Sequence, residues 1–125
     1  MATQQTKAMQ HEPILNVYFY RTEAGNEPVR EWLKSLEQEE RKQIGNDIKT
    51  AQFGWPLGLP LIRKLEKNLW EVRSNLPDGI ARVIFTVRGS YLALLHGFIK
   101  KSQKTPTTEL ATARKRLSKL VMEEE

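Results

Sequence analysis

The amino-acid sequence predicts an α+β fold with the element order β-α-α-β-β-β-α, in which a small antiparallel-rich sheet carries two N-terminal helices and one C-terminal helix. Three observations support this fold class. Residues 14–20 are rich in β-branched and aromatic side chains, as strands are. Apolar residues then recur at helical spacing over residues 29–51, and apolar and polar residues alternate over residues 69–88. The pattern further predicts that the helices pack on one face of the sheet.

Two helices are predicted to follow the first strand. Pro28 marks the start of the first helix, because proline suits a first helical turn. The apolar face of this helix, spaced i, i+3, i+4 and i+7, comprises Val29, Trp32, Leu33 and Leu36. Ser35 and Gln38 form a capping-box pattern, so the second helix is predicted to start near Ser35. Gly54 and Pro56 predict its end.

Three strands and a helix are predicted for the second half of the chain. Residues 69–73 and 81–88 alternate in polarity, and residues 76–79 between them (LPDG) have the composition of a hairpin turn. Residues 91–99 are nearly all apolar, which predicts a central strand. The last helix is predicted to start near Thr105-Pro106, a favourable N-cap and first-turn pair. Its predicted inner face comprises Leu110, Ala113, Leu117 and Val121.

Length and composition bound the class of protein. The 125 residues suit one domain, predicted to span residues 14–122 behind a polar, flexible tail of residues 1–13. The sequence has no cysteine, which excludes disulfides and thiolate zinc sites and agrees with a reducing cytoplasm. No apolar run approaches the roughly 20 residues of a membrane span, so no membrane contact is expected.

Positive charge is concentrated in the second half of the chain. The formal net charge is +5, yet residues 63–122 carry 13 basic and four acidic side chains. A field of that sign attracts polyanions such as nucleic acid. A solvated basic surface, or one that meets an acidic protein, is the alternative interpretation, and charge alone does not decide between them.

Two arginines are predicted to face each other within the meander. Strand alternation places Arg73 and Arg82 on equivalent sides of neighbouring strands, so their guanidinium groups are expected to lie close together. Two facing cations repel each other unless an anion lies between them. Glu71 is the internal candidate for that anion, and a phosphate is the external one. The alternative is an ordinary exposed Arg–Glu–Arg cluster worth under about 1 kcal/mol per ion pair.

A basic segment follows the last predicted strand. Lys100, Lys101 and Lys104 lie within five residues at the edge of the face that carries the arginines. They are candidate anion contacts or, alternatively, a solubilising strand end. His96 and Phe98 share the alternation of Lys100. His96 is either a proton-transfer group or a packed histidine, and Phe98 is either core or a platform for a nucleobase.

Three stretches of the sequence resemble the phage-related branch of HigB toxins, which belong to the RelE/ParE superfamily. They are residues 64–73 (KLEKNLWEVR), 80–85 (IARVIF) and 94–106 (LLHGFIKKSQKTP). The resemblance implies a RelE-like fold and a toxin of a type II toxin-antitoxin system that cleaves mRNA in the ribosomal A site and thereby inhibits translation. The implied enzyme is a cytoplasmic endoribonuclease with no metal and no cofactor. The implied partners are mRNA, the ribosome and a helix-turn-helix antitoxin of the HigA type, through which alone the toxin contacts operator DNA.

The resemblance also implies roles for individual residues. Arg82 is expected to bind the transferring phosphate and Arg73 to act as a second clamp, because a guanidinium fork matches phosphate oxygens. Lys100 or Lys101 is expected to contact the phosphate or the leaving oxygen. Further RNA contacts are expected at Arg63, Lys64, Phe98 and Lys104.

The general acid and base stay open at this point. Members of the superfamily use lysine, glutamate or histidine for proton transfer, so Glu71 and His96 are both candidates. A lysine base is a further alternative, which requires a strongly lowered pKa within a cationic cluster. The sequence departs from RelE at Glu71, where RelE has a lysine, and after the lysine pair, where no tyrosine follows.

Two other functions share this fold. One is a ParE-like poison that binds DNA gyrase without catalysis, and the other is a catalytically inactive phage-derived interaction protein. Convergence of Arg73, Arg82 and Lys100 or Lys101 on one face discriminates between them and the nuclease, because a gyrase poison has no need of such a constellation.

Overall fold

The computed structural model describes residues 12–122 and contains a five-stranded sheet and three helices, which confirms the α+β fold class. In chain order the elements are β1 (Asn16–Phe19), α1 (Pro28–Ser35), α2 (Gln38–Gly54), β2 (Ile62–Glu66), β3 (Leu69–Leu76), β4 (Gly79–Arg88), β5 (Tyr91–Lys100) and α3 (Thr107–Ser118). The predicted flexible tail, residues 1–13, lies almost entirely outside the described residues. Within residues 12–122, none of the helices has the length and apolar character needed to cross a bilayer.

The sheet contains one strand more than the sequence predicted. Its order is β1-β5-β4-β3-β2, and β2 was missed. This strand lies at the sheet edge and three of its five residues are charged, so neither an apolar run nor a clear alternation marks it. Strands β2 to β5 form an antiparallel meander, and β1 pairs parallel with β5. The prediction that residues 91–99 form a central strand is confirmed.

The prediction that all helices pack on one face is wrong. Helices α1 and α2 cover one face, where Val29 and Ile44 pack with sheet residues such as Val83. Helix α3 covers the other face, where Ala113 packs with Ile84. The physical reason is that β5 is apolar on both sides. Leu92 and Leu94 join the first cluster, whereas Ala93 and Leu95 join the second. A strand of that kind is stable only when both faces are covered.

Two helix boundaries differ from the prediction because other side chains form the caps. Helix α2 begins at Gln38, and its capping box consists of Glu37 and Glu40. Ser35 instead ends α1 and donates a hydrogen bond to the carbonyl of Trp32 at 2.6 Å. At the C-terminus, α3 ends at Ser118, so the predicted core residue Val121 falls beyond the helix and is 79% exposed.

Gly97 allows α1 to approach the sheet closely. A Cβ atom built at this position lies 2.4 Å from two ring carbons of Trp32. A contact that short is not tolerated between carbon atoms, so only glycine fits beneath this indole ring. The close approach lets Trp32 join the core cluster on the α1 and α2 face.

Candidate functional site

The strand register brings the predicted arginines together on the α3 face. Arg73 on β3 is paired directly with Arg82 on β4, as the alternation predicts. Two residues before Arg73 on the same strand and face, Glu71 is paired with Arg63 on the unpredicted strand β2. Phe98 on β5 is paired with Arg82. Three adjacent strands therefore contribute cations to one patch, here named the arginine cluster (Arg63, Arg73, Arg82 and the carboxylate of Glu71).

Glu71 is the internal anion of the arginine cluster. Its side chain is completely buried. Its Oε2 lies 3.3 Å from Arg63 Nε and 3.1 Å from Arg73 Nη1. Its Oε1 accepts a hydrogen bond from the Thr105 hydroxyl at 2.8 Å. Both carboxylate oxygens are thus engaged, and the alternative of an ordinary solvent-exposed cluster is wrong for the carboxylate, because no part of it reaches water.

Arg82 is buried with spare hydrogen-bonding capacity. Its side chain is 0% exposed, and its Nη2 donates to the carbonyl of Ser102. Its Nε and Nη1 have no hydrogen-bond partner among the described residues. Burial lowers the pKa of Arg82, Glu71 opposes that effect, and the cations Arg73 and Arg63 add to it. The guanidinium still stays protonated at neutral pH. Two buried nitrogens of the charged guanidinium, with three N–H bonds between them, therefore have no acceptor in the described part of the chain.

A short segment after β5 covers the arginine cluster; we name Ser102–Thr105 the cap segment. The carbonyl of Ser102 accepts from Arg82, and Gln103 Oε1 accepts from Arg73 Nη2 at 3.2 Å. The hydroxyl of Thr105 donates to Glu71 and accepts from Arg63 Nη2 at 3.3 Å. Every charged member of the cluster thus contacts this segment.

Lys100 and Lys101 precede the cap segment and Lys104 belongs to it, but none of the three ammonium groups contacts the cluster. All three residues are exposed, and their side chains make no hydrogen bond or ion pair within the described part of the chain. By strand alternation, Lys100 lies on the same face as Phe98, next along β5. Lys101 follows the end of β5. The structure therefore places exposed cations at the rim of the cluster, not within it.

His96 is held between β5 and α3. Its Nε2 lies 2.6 Å from Glu109 Oε1, and its Nδ1 lies 3.3 Å from Arg116 Nη1. Arg116 can only donate hydrogen bonds, so His96 Nδ1 is the acceptor. His96 Nε2 therefore carries the ring hydrogen and donates a hydrogen bond to Glu109 Oε1. Arg116 also donates to the carbonyl of Leu95 at 2.8 Å, and burial lowers its pKa, with Tyr20 opposing that effect. Both ring nitrogens are thus engaged inside the protein, which favours the packed-histidine interpretation.

Two of the predicted RNA contacts do not present their side chains at the arginine cluster: Lys64 is exposed on the other face of the sheet, and Phe98 is buried. Lys64 is paired with Trp70 on the opposite face of the sheet, and its Nζ lies 5.8 Å from the Trp70 ring centroid. It is therefore not part of the cluster. Phe98 is 6% exposed and stacks on His96, with ring centroids 5.7 Å apart. Phe98 belongs to the core beneath α3, so the alternative of an open stacking platform does not fit this conformation.

Sequence reasoning missed the cap segment and Glu109. Thr105 was interpreted as a helix N-cap, but Pro106 occupies that position. Its hydroxyl contacts Glu71, which lies 34 residues earlier in the chain. No periodicity reports a contact over that separation.

Among residues 12–122, no three histidine, aspartate or glutamate side chains come together in a group able to hold a metal ion.

A family model described as phage-derived protein Gp49-like matches residues 31–118, which is more than half of the chain. The chain belongs to the Gp49-like family. This family is toxin-like and related to the RelE and HigB toxins, so the coarser part of the resemblance is confirmed. The matched residues of this Gp49-like protein include the whole arginine cluster and the cap segment. No curated protein matches the chain.

Proposed function

We propose that this Gp49-like protein is a HigB-type toxin of a type II toxin-antitoxin system and a ribosome-dependent mRNA endoribonuclease. The observation that carries the proposal is the convergence of Arg63, Arg73 and Arg82 on one small patch of the sheet, where Arg63 and Arg73 pair with the internal carboxylate of Glu71. Guanidinium groups bind phosphate oxygens bidentately and keep their charge in a buried setting. The basic surface of residues 63–122 adds a long-range field that attracts RNA.

The proposed reaction uses the 2′-hydroxyl of the RNA as the nucleophile. Its attack on the adjacent phosphorus forms a pentacoordinate phosphorane with additional negative charge, and the 5′-oxygen then leaves. Arg82 supplies two nitrogens, Nε and Nη1, that have no acceptor among residues 12–122, and Arg73 supplies a second fork. Preorganised donors aimed at developing charge are worth roughly 3–4 kcal/mol each. Charge stabilisation by the arginines is therefore the main catalytic contribution in this proposal.

Proton transfer is assigned to Glu71 and one rim lysine. Glu71 lies within the cluster, two residues from Arg73, whereas both ring nitrogens of His96 are held by Glu109 and Arg116. A carboxylate freed from Thr105 accepts the 2′ proton. The ammonium group of Lys100 or Lys101, both exposed at the rim, donates a proton to the 5′-oxygen as its bond to phosphorus breaks. The ribosome supplies the remaining positioning, which contributes strongly to the rate of such reactions.

The proposed partners follow from this role. A helix-turn-helix antitoxin of the HigA type binds the toxin and connects it to operator DNA. The toxin works in the cytoplasm, where ribosomes and mRNA are found, and uses no metal or other cofactor.

Primer extension on cellular mRNA after induction of the gene tests the proposal. Wild-type protein is expected to produce cuts within codons of translated messages, and Arg73→Ala is expected to produce none. Arg30→Ala is the matched control, because Arg30 also pairs with a glutamate, Glu27, but lies on α1 away from the cluster. Growth arrest without mRNA cuts but with inhibited DNA supercoiling would identify a gyrase poison instead.

The closed state of the cluster favours a second candidate, a catalytically inactive phage-derived interaction protein. Arg82 is wholly buried and Glu71 already fills the place of an anion. In that case induction of the wild-type gene causes neither mRNA cuts nor growth arrest, while the antitoxin still binds.

A further inference from the structure

The arginine cluster is closed in the conformation that the structure describes. Ser102, Gln103 and Thr105 contact its charged members. The candidate phosphate ligand Arg82 has no exposed surface. A phosphodiester therefore cannot reach the Arg82 guanidinium unless the cap segment moves.

The closed cluster has unmet hydrogen-bonding capacity. Arg82 Nε and Nη1 lack an acceptor within residues 12–122, and a charged donor without a partner inside a protein is costly. The cap segment supplies Arg82 with a single acceptor, the neutral carbonyl of Ser102. An anion offers charged acceptors to the same guanidinium. The closed state therefore satisfies the hydrogen-bonding capacity of the Arg82 guanidinium less fully than a bound anion would.

The cap segment itself is lightly held. The side chains of Ser102, Gln103 and Lys104 are exposed, and the segment contributes no residue to either hydrophobic cluster. It is fixed at one end by β5 and at the other by Pro106, which precedes α3. Exposed segments with few apolar contacts open at low free-energy cost.

We propose that Ser102–Thr105 is a displaceable cap, and that anion binding to the arginine cluster and opening of this segment are one coupled equilibrium. In the free protein the segment covers the position beside Arg82 that an RNA phosphate takes, so the toxin is self-inhibited until a phosphodiester displaces the segment. The inference rests on the proposed function only for the identity of the anion as RNA. The apparent affinity for that anion is reduced by the fraction of molecules that are closed.

Nuclear magnetic resonance of the ¹⁵N-labelled full-length protein tests this coupling without any cleavage. The probe is a trinucleotide whose 2′-oxygens are all methylated, so it binds but cannot be cut by 2′-hydroxyl attack. The measured quantities are the exchange of the Arg82 Nε proton with water and the dissociation constant of the probe. The variant Q103A/T105V removes three cap contacts, those of Gln103 with Arg73 and of Thr105 with Glu71 and Arg63. Thr108→Val is the matched control because Thr108 is exposed on α3 outside the cluster.

In the wild type, the Arg82 Nε proton is expected to exchange slowly and to shift when the probe binds. In Q103A/T105V it exchanges faster, and the probe binds about five- to tenfold more tightly, because less closing free energy must be overcome. Thr108→Val behaves as the wild type. Equal or weaker binding by the folded double variant would overturn the inference, as would probe binding that leaves the Arg82 resonance unchanged.

A second arm with inorganic phosphate separates this inference from the proposed function. In one outcome, phosphate binds at Arg82 and the double variant strengthens that binding, but the RNA probe does not bind. That result would support the displaceable cap and contradict the nuclease proposal. If the wild type cleaves mRNA but neither anion perturbs the Arg82 resonance, the proposed nuclease function is supported and the displaceable cap is contradicted. If neither anion binds and no mRNA is cleaved, both are wrong.

Discussion

Arg73 and Arg82 occupy directly paired positions on β3 and β4, so two guanidinium groups share one face of the sheet. Their mutual repulsion is offset by Glu71 on β3, the strand between β2 and β4. The Glu71 side chain is fully buried, and its Oε2 lies 3.1 Å from Arg73 Nη1. The site therefore contains an internal counter-ion before any substrate arrives, and its three guanidinium groups still exceed that one carboxylate in charge. For this reason we expect stability and function to respond differently to substitutions in the cluster.

Glu71→Gln is expected to lower the free energy of unfolding by about 2–4 kcal/mol, because it leaves three cations without their buried counter-ion. Urea denaturation measures the change. Added phosphate is expected to recover part of the loss. Glu66→Gln is the matched control, since Glu66 pairs with Arg114 in an exposed setting, and its cost is expected to stay below about 1 kcal/mol. Equal costs for the two variants would contradict a central role for Glu71.

Arg82→Met is expected to keep or raise the stability of the fold while it abolishes mRNA cleavage. Methionine fills a similar volume and removes two buried nitrogens, Nε and Nη1, that have no acceptor among the described residues. We expect the free energy of unfolding to change by between zero and about +2 kcal/mol. Thermal unfolding and a cleavage assay on ribosome-bound mRNA measure the two effects. A destabilised variant that still cleaves would mean that Arg82 has a structural role only.

His96→Gln is expected to retain mRNA cleavage within about tenfold of the wild-type rate, because both ring nitrogens already contact Glu109 and Arg116. The substitution is expected to weaken the packing of α3 on the sheet and to lower the free energy of unfolding, measured by urea denaturation, by about 1–2 kcal/mol. A fall in the cleavage rate beyond about a hundredfold, in a variant of unchanged stability, would instead identify His96 as a proton-transfer group.

Gly97→Ala is expected to destabilise the protein by about 1–3 kcal/mol, since the added methyl group overlaps the Trp32 ring. Gly45→Ala is the matched control. Gly45 lies within α2 with no atom near its built Cβ, so alanine there is expected to be neutral or stabilising by up to about 1 kcal/mol. Tryptophan fluorescence during urea denaturation follows both variants. A neutral Gly97→Ala would contradict the close packing of α1 on β5.

The sequence predicted those features that depend on local periodicity. The pairing of Arg73 with Arg82 followed from the two-residue alternation of strands joined by a short hairpin. The central position of β5 followed from its apolar composition. The edge strand β2 was missed because an edge strand needs little apolar surface, and its Arg63 was therefore predicted as an RNA contact without a place in the cluster.

Long-range contacts could not be predicted in this way. The face covered by α3 depends on how the chain turns after β5, and the predicted single covered face was wrong. The contacts of Gln103 with Arg73 and of Thr105 with Glu71 join residues 30 and 34 positions apart, respectively. They arise from the tertiary fold alone, so the closure of the cluster by the cap segment was not foreseen.

The most direct test of the central claim is the single-turnover rate of cleavage of an mRNA bound in the ribosomal A site. The wild type is expected to cleave the message, and Arg73→Lys, which keeps the charge but loses the fork, is expected to be slower by about 10²–10³-fold. Arg114→Lys, on a surface ion pair with Glu66, is expected to match the wild type. No cleavage by the wild type, or an undiminished rate with Arg73→Lys, would contradict the account.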